Sequence, residues 1–231
     1  MLARRGILAS RHTVGLRHLS GAVHLHLDLS AVAKERRPSC RRHLEKNGKL
    51  SAGLTTIFDH VSSDERGVRE AADAGASSVC VTVASAVGGA AAVAAARRLN
   101  LRTIALLSAE LDASPMDLAS VAAQLSGAGA ETVVLTVPAG TDEARLREYI
   151  IGAVQGREDV QGVLGLQFEP GLASLALART ARDDLGVRHF VACVAGKHAP
   201  RPSDLLKALG LKPPDVNISA LYLAEHVPDA A

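Results

Sequence analysis

Two histidines separated by one residue are the clearest candidates for chemistry in this sequence. His24 and His26 lie in residues 22–30, where apolar and polar residues alternate strictly, so both are predicted on one face of a strand together with Asp28. Two imidazoles in this arrangement can bind zinc or another divalent metal, with Asp28 as a further candidate ligand. His189 is predicted at the amino end of its own strand, away from the end where barrel folds carry catalysis. We therefore favour a polar strand face that binds no metal.

Other residues of catalytic or binding type are few and scattered. Asp59 and His60 form an adjacent acid and imidazole pair, and Glu169 follows a later apolar run. Gly88 and Gly89 stand at a predicted helix start, where backbone N–H groups could hold a phosphate. Paired glycines also occur in tight turns of many kinds, so they indicate a phosphate site only weakly.

The three cysteines do not form a recognisable site. Cys40, Cys80 and Cys193 are too few and too widely spaced for a disulfide framework or a zinc ribbon. Cys80 and Cys193 lie inside β-type runs, where a free cysteine usually behaves as a small buried apolar residue. We expect both to be buried thiols.

The elements that would position these residues recur along the chain. Five apolar β-type runs start 24, 29, 30 and 27 residues apart, and an Ala/Leu-rich stretch follows each of them; the runs are 79–84, 103–109, 132–137, 162–169 and 189–196. This spacing fits one strand, one helix and two short loops, which predicts an α/β fold with parallel strands, either a barrel or an open doubly wound sheet.

Two earlier segments, 22–30 and 54–60, bring the number of predicted strands to seven, one fewer than a closed eightfold barrel requires. We therefore predict an incomplete or open TIM-barrel-like (β/α) repeat. Its seam is expected between these two segments, covered by the N-terminal arm or by another subunit.

Helix boundaries can be predicted from capping residues. Residues 31–47 read as a basic connection that ends as a helix at Asn47-Gly48, and residues 62–65 read as a helix start with a capping hydroxyl and early carboxylates. Ser114-Pro115 is predicted to open a helix that closes at residues 127–130, and a last helix is predicted over residues 215–226.

Composition narrows the class of protein. The 231 residues are 48% hydrophobic, which is enough for one well-packed domain, predicted over residues 21–231. Aromatic residues make up only 2% and Trp is absent, so a platform that stacks nucleic-acid bases is not expected. No run approaches the roughly 18 apolar residues that cross a bilayer, so no membrane span is predicted.

Charge is distributed unevenly. Residues 1–49 hold 11 Lys and Arg against 3 Asp and Glu, while residues 50–231 hold 15 against 21. Residues 1–20 contain Arg4, Arg5, Arg11 and Arg17 and no acid, a composition that resembles a mitochondrial presequence. We expect a mitochondrial protein on the matrix side whose mature chain begins near Ser20. A retained basic arm that contacts RNA, anionic lipid or a partner is the alternative.

Three segments of the chain resemble one enzyme family. Residues 68–85 (VREAADAGASSVCVTVAS), 114–140 (SPMDLASVAAQLSGAGAETVVLTVPAG) and 186–217 are similar to hydroxymethylglutaryl-CoA lyase, which shares a superfamily with the carboxyltransferase domain of pyruvate carboxylase. The resemblance covers roughly residues 55–225. It implies an (α/β) barrel in which a divalent metal polarises the substrate carbonyl and stabilises the enolate released by C–C cleavage.

The motifs that this family uses for catalysis are replaced here. Its Arg-Asp-Gly strand end corresponds to Asp28-Leu29-Ser30, with no arginine before the acid, and its Asp-Thr-x-Gly turn corresponds to residues 136–140. Its His-x-His-Asp metal pair falls at Gln167–Pro170, and its cysteine loop is shortened to residues 197–202. Cys193 lies in the strand before that loop and does not replace the missing cysteine. We expect a degenerate site with no catalytic residues and no cofactor.

Three functions are compatible with these observations. The favoured one is a non-catalytic lyase-like protein that acts as a structural or accessory subunit with other proteins of a mitochondrial complex. An alternative is an active metal-dependent lyase or aldolase acting on an acyl-CoA or oxo acid, with a rearranged site drawn from the histidines and carboxylates named above: His24, His26, Asp28, Asp59, His60 and Glu169. A binding module with a phosphate or CoA pocket at Gly88-Gly89 is the third.

Overall fold

The structure is a computed structural model that describes most of the domain. It describes residues 23–47, 54–107, 115–154, 160, 163–168, 172–193 and 202–210. The arm at residues 1–20, the predicted last helix at 215–226, Glu169 and the segment at 197–201 lie outside these residues. None of the described helices is long and apolar enough to cross a membrane.

Eight parallel strands form a single sheet. They are β1 His24–Asp28, β2 Leu54–Phe58, β3 Val61–Ser62, β4 Ser78–Val83, β5 Arg102–Leu107, β6 Thr132–Val137, β7 Leu164–Phe168 and β8 His189–Cys193. Their order in the sheet is β2-β1-β8-β7-β6-β5-β4-β3. Each strand is paired in parallel with its neighbour, so the sheet curls into a nearly closed barrel with one unsealed seam. The predicted α/β barrel-like repeat is confirmed.

Helices connect the strands and cover the outside of the barrel. They are α1 Arg37–Asn47, α2 Glu65–Asp73, α3 Ala86–Arg98, α4 Pro115–Ala128, α5 Glu143–Val154, α6 Leu172–Asp183 and α7 Pro202–Ala208, with a short 3-10 turn at Lys34–Arg36. Pro115 opens α4 as predicted, since a proline in the first turn removes no helical hydrogen bond. The cap of α2 is the carboxylate of Asp64, which accepts from Gly67 N, and not the predicted hydroxyl.

The prediction of seven strands is wrong, and so is the position predicted for the seam. Residues 22–30 and 54–60 do not flank a gap, because β1 pairs directly with β2, with Leu27 opposite Ile57. The run at 54–60 continues into β3, which adds the eighth strand. The interruption lies between β2 and β3, which follow one another in one chain segment and are separated only by Asp59 and His60.

A break in side-chain alternation explains why this segment divides into two strands. Phe58 belongs to the apolar cluster inside the barrel, and Val61 is in register with Cys80 of the same cluster. Side chains on one face of a regular strand are an even number of residues apart, but Phe58 and Val61 are three residues apart. The alternation therefore shifts at Asp59–His60, and the segment pairs with β1 before the shift and with β4 after it.

Two arginines of α1 bridge the seam with hydrogen bonds. Arg41 reaches across it and donates to Ile57 O at 3.1 Å, Asp59 Oδ1 at 3.3 Å and Ser77 Oγ at 2.5 Å. Arg37 donates to Asp59 O at 2.8 Å. These bonds satisfy strand-edge carbonyls that would otherwise be free to pair with another chain.

The core has two parts that differ in size. The large one lies between the sheet and the helices and takes residues from every strand except β3, such as Leu25 and Leu27 of β1. The small one fills the inside of the barrel; its members are Phe58, Cys80, Ile104, Val134 and Val191. Leu106 packs against this small part, and the polar inward side chains form one group at each end of the barrel.

Candidate functional site

A small polar network occupies the carboxyl end of the barrel, where enzymes of this architecture carry their active sites. Asp28 ends β1 and is in register with Cys193 at the end of β8. The Cys193 thiol donates to Asp28 Oδ2 at 3.6 Å, and Gln167 of β7 donates its amide to Cys193 Sγ at 3.2 Å. The other Asp28 oxygen accepts from the backbone N–H of Ser30 at 2.7 Å. Three strands thus contribute one linked set of hydrogen bonds.

The thiol in this network is protonated. Burial, with the negative charge of Asp28 as the second cause, raises the pKa of Cys193 to about 12. Burial also raises the pKa of Cys80, again with contributions from Asp28 and Cys193. A nucleophilic cysteine needs a lowered pKa, so neither thiol has the environment of a catalytic nucleophile. The expectation that Cys80 is a buried thiol agrees with the structure, while Cys193 is partly exposed.

The described residues at this end do not form a ready-made site for the divalent metal that the lyase resemblance implies. The resemblance aligns Asp28 with the family's metal-binding acid, and here its two oxygens accept hydrogen bonds from Ser30 N and the Cys193 thiol. Gln167, at the position of the first imidazole of the family's metal pair, uses its amide nitrogen as a donor to a neutral thiol. Across the described part of the chain, no three His, Cys, Asp or Glu side chains are placed to hold a metal between them.

The histidines of β1 lie at the opposite, amino-terminal end of the barrel. His24 stacks on His189 of β8 with ring centroids 4.7 Å apart, and His26 Nε2 lies 3.0 Å from His189 Nδ1. The pKa of His26 is lowered to about 3, mainly by burial. The neighbouring His189, His24 and Arg102 lower it further. The imidazole of His26 is therefore neutral near pH 7. Asp28, on the same strand face, contacts Cys193 and Ser30 N at the other end of the barrel instead of these histidines.

The barrel wall is shaped to admit this histidine cluster, which we define as His24, His26 and His189. A Cβ atom at Gly165 of β7 would lie 3.0 Å from His189 Cβ and 3.0 Å from Thr132 Cγ2. The glycine therefore leaves room for the base of the His189 side chain and for the Thr132 methyl group. Thr132 Oγ1 lies 3.4 Å from His189 Nδ1.

Asp59 and His60 form a hydrogen-bonded pair at the seam, apart from both polar groups. His60 Nδ1 lies 2.9 Å from Asp59 Oδ1, and the same oxygen accepts from Arg41. Asp59 is buried while His60 is partly exposed. The hydrogen bond fixes the orientation of the His60 imidazole. Because the same carboxylate oxygen binds Arg41 at the seam, the pair has a structural role.

Gly88 and Gly89 lie in the first turn of α3, after the capping residue Ser85. Gly88 N donates to Ser85 Oγ at 3.3 Å, and Gly89 N donates to Ser85 O at 2.9 Å. A Cβ atom at Gly89 would lie 2.6 Å from Val83 Cγ1, so this glycine allows α3 to pack closely against β4. Packing therefore accounts for Gly89, and a phosphate site here stays a prediction.

Three residues take a part in the two polar groups that the sequence does not predict: His189 and Thr132 at the amino-terminal end and Gln167 at the carboxyl end. His189 alternates with Val191 and Cys193 along β8, which is the signal that could have placed it on the inner face with the cluster. Its place at the start of a strand does not separate it from the β1 histidines, because His24 begins its strand too and is in register with His189.

Comparisons with known proteins show the fold. No protein-family model matches the sequence, and the comparison with curated proteins gives no match. The HMG-CoA lyase from Brucella melitensis is similar in structure with a TM-score of 0.66 and 14% identity over 89% of this chain and 97% of that one. The carboxyl transferase domain from Rhizobium etli pyruvate carboxylase is similar with a TM-score of 0.54 and 16% identity over 75% of this chain and 34% of that one. The resemblance inferred from sequence segments is thus confirmed for the fold.

Proposed function

We propose that this chain is a non-catalytic relative of hydroxymethylglutaryl-CoA lyase that acts as a structural or accessory subunit of a larger mitochondrial assembly. The observation that carries the proposal is the network at the carboxyl end of the barrel. There, the acid at the metal position is hydrogen-bonded to a neutral thiol, and a glutamine stands where the family has an imidazole. These donors supply neither a preformed metal site nor an activated nucleophile.

The mitochondrial part of the proposal is supported by the N-terminal sequence. Residues 1–20 are rich in arginine and contain no acid, which is typical of a presequence. The proposed partners are other protein subunits, since the low aromatic content gives no stacking platform for nucleic acid.

Enzyme assay tests the non-catalytic role directly. The purified chain is incubated with hydroxymethylglutaryl-CoA and Mg²⁺ or Mn²⁺, beside a bacterial lyase as positive control. We expect no cleavage above background. Turnover within a hundredfold of a typical rate of about 10 per second would contradict the proposal and favour the active-enzyme alternative. In that case, separate Asp28→Asn and His60→Ala variants would show whether the Asp28 network or the Asp59–His60 pair carries the activity.

Purification from mitochondria tests the accessory role and the localisation together. We expect the native protein to co-elute with other subunits in a large complex and to begin near Ser20. Recovery as a free monomer would contradict the accessory role, and an intact Met1 would contradict cleavage of a presequence. Replacing Arg4, Arg5 and Arg11 by Glu should abolish import if residues 1–20 are the targeting segment.

A further inference from the structure

We propose that the histidine cluster is an acid-sensitive latch between β1 and β8 at the amino-terminal end of the barrel. The latch holds the two strand ends together while its rings are neutral, and it releases them when the rings gain protons in acid. It lies at the other end of the barrel from the network of Asp28, Cys193 and Gln167. It does not depend on the proposed function, because an accessory subunit and an enzyme could both carry it.

The hydrogen bond at the centre of the cluster has a defined proton order. His26 Nε2 lies 3.0 Å from His189 Nδ1, and the planes of the two rings are 17° apart. A hydrogen bond between two imidazole nitrogens needs one N–H and one lone pair. His26 Nδ1 and Thr56 Oγ1 are both buried on residues that are opposite each other on β1 and β2, so a turn of the Thr56 hydroxyl lets it accept from Nδ1. His26 is then in its neutral form, with its proton on Nδ1 and its Nε2 lone pair accepting from His189.

The charges that act on His26 oppose a second proton on its ring. His189 and His24 gain positive charge in acid, and Arg102 of β5 is positive throughout. His24 stacks on His189 with ring centroids 4.7 Å apart, so protonation of both rings places two like charges in contact. Glu131 offsets only part of the Arg102 charge, with which it is paired at 2.9 Å. The neighbouring side chains from β2 and β6 are uncharged: Thr56 and Thr132.

Opening of the strand ends removes this opposition and so couples the latch to pH. In the closed barrel, burial and the neighbouring charges lower the pKa of His26 from its ordinary 6.5 to about 3. Once water reaches the ring, His26 binds a proton below about pH 6.5 that the closed form does not bind until the pH approaches 3. The contribution of this ring to the closed form is therefore complete above about pH 6.5 and is lost as the pH falls toward 3. For one such ring, the equilibrium constant for opening or unfolding rises roughly 25-fold between pH 7 and pH 5.

Urea unfolding of the full chain at pH 7 and at pH 5 tests the latch. The variant is His26→Gln, which keeps a neutral polar side chain, and the matched control is His60→Gln at the seam, which keeps a donor toward Asp59. We expect the equilibrium constant for unfolding to rise roughly 25-fold in acid in the wild type and in the control. The His26→Gln variant should lose most of that rise. The proposal is overturned if the wild type and His26→Gln show the same rise, or if the wild type shows none.

A second measurement on the wild type applies even if the variant fails to fold. Nitrogen NMR spectra of the histidine rings in the folded chain at pH 5 should show a neutral His26 with its proton on Nδ1. Between pH 7 and pH 5, the amide protection factors of β1 and β8 should fall more than those of β4 and β5, which pair with each other away from the cluster. A His26 ring that is protonated in the folded chain at pH 6 would overturn the proposal, and so would an equal fall in both strand pairs.

Discussion

Replacing Arg41 with alanine should destabilise the barrel through its seam. The Arg41 side chain is only 15% exposed, and that of its ion-pair partner Asp59 is 9% exposed. Removing one member of a buried ion pair costs about 3–5 kcal/mol, because the other charge is left without compensation. Here His60 still donates to Asp59, and Ser78 Oγ still donates to Ile57 O at 2.6 Å. We therefore expect a loss at or just below the lower limit of this range, about 2–3 kcal/mol.

Urea unfolding of matched variants measures this loss. Arg42→Ala is the control, since Arg42 is exposed and its hydrogen bond within the described residues goes to Pro38 O one turn earlier. This variant should change the free energy of unfolding by less than about 0.5 kcal/mol. For a chain of this length, the loss in Arg41→Ala corresponds to a fall in Tm of about 5–10 °C. The loss of unfolding free energy in Arg41→Lys should lie between those of Arg42→Ala and Arg41→Ala, because lysine keeps the charge but lacks the planar fork of donors.

A double variant separates the ion pair from simple loss of packing. If the uncompensated charge of Asp59 dominates, adding Asp59→Asn to Arg41→Ala should recover part of the lost stability. Hydrogen exchange should also quicken first at Cys80 N, which bonds to His60 O at 2.9 Å beside the seam. Equal stability of Arg41→Ala and Arg42→Ala would refute this account of the seam.

Two further predictions concern the barrel interior. Because the pKa of Cys193 is raised in the native state to about 12 from an ordinary value of 9.0, its contribution to stability is complete below about pH 9 and is lost as pH rises toward 12. Cys193→Ala should therefore flatten the alkaline fall in unfolding free energy, and an unchanged alkaline profile would contradict the assignment. Gly165→Ala should cost about 1–3 kcal/mol by overpacking against His189 and Thr132. Gly127→Ala in α4, with nothing within 4 Å of its Cβ, should be neutral or slightly stabilising in the same urea assay, and equal effects at both glycines would refute the steric argument.

Local sequence signals were sufficient for the elements and for the class of fold. The alternation along β1 and the proline at the start of α4 depend on neighbours within one strand or one turn. The repeat spacing spans longer stretches, but it is read from position along the chain and needs no knowledge of which strands pair. The same local pattern placed His24, His26 and Asp28 on one face of β1, as the structure has them. It could not show that the two histidines and Asp28 make their contacts at opposite ends of the barrel.

What only the tertiary structure decided is which strands meet, and in which register. His26 and His189 are 163 residues apart in sequence, and Asp28 and Cys193 are 165 apart, so their contacts follow from the pairing of β1 with β8. The seam was misplaced for the same reason. The shift in alternation at Asp59–His60 lets one short segment pair with β1 and then with β4, and periodicity within that segment contains no information about either partner.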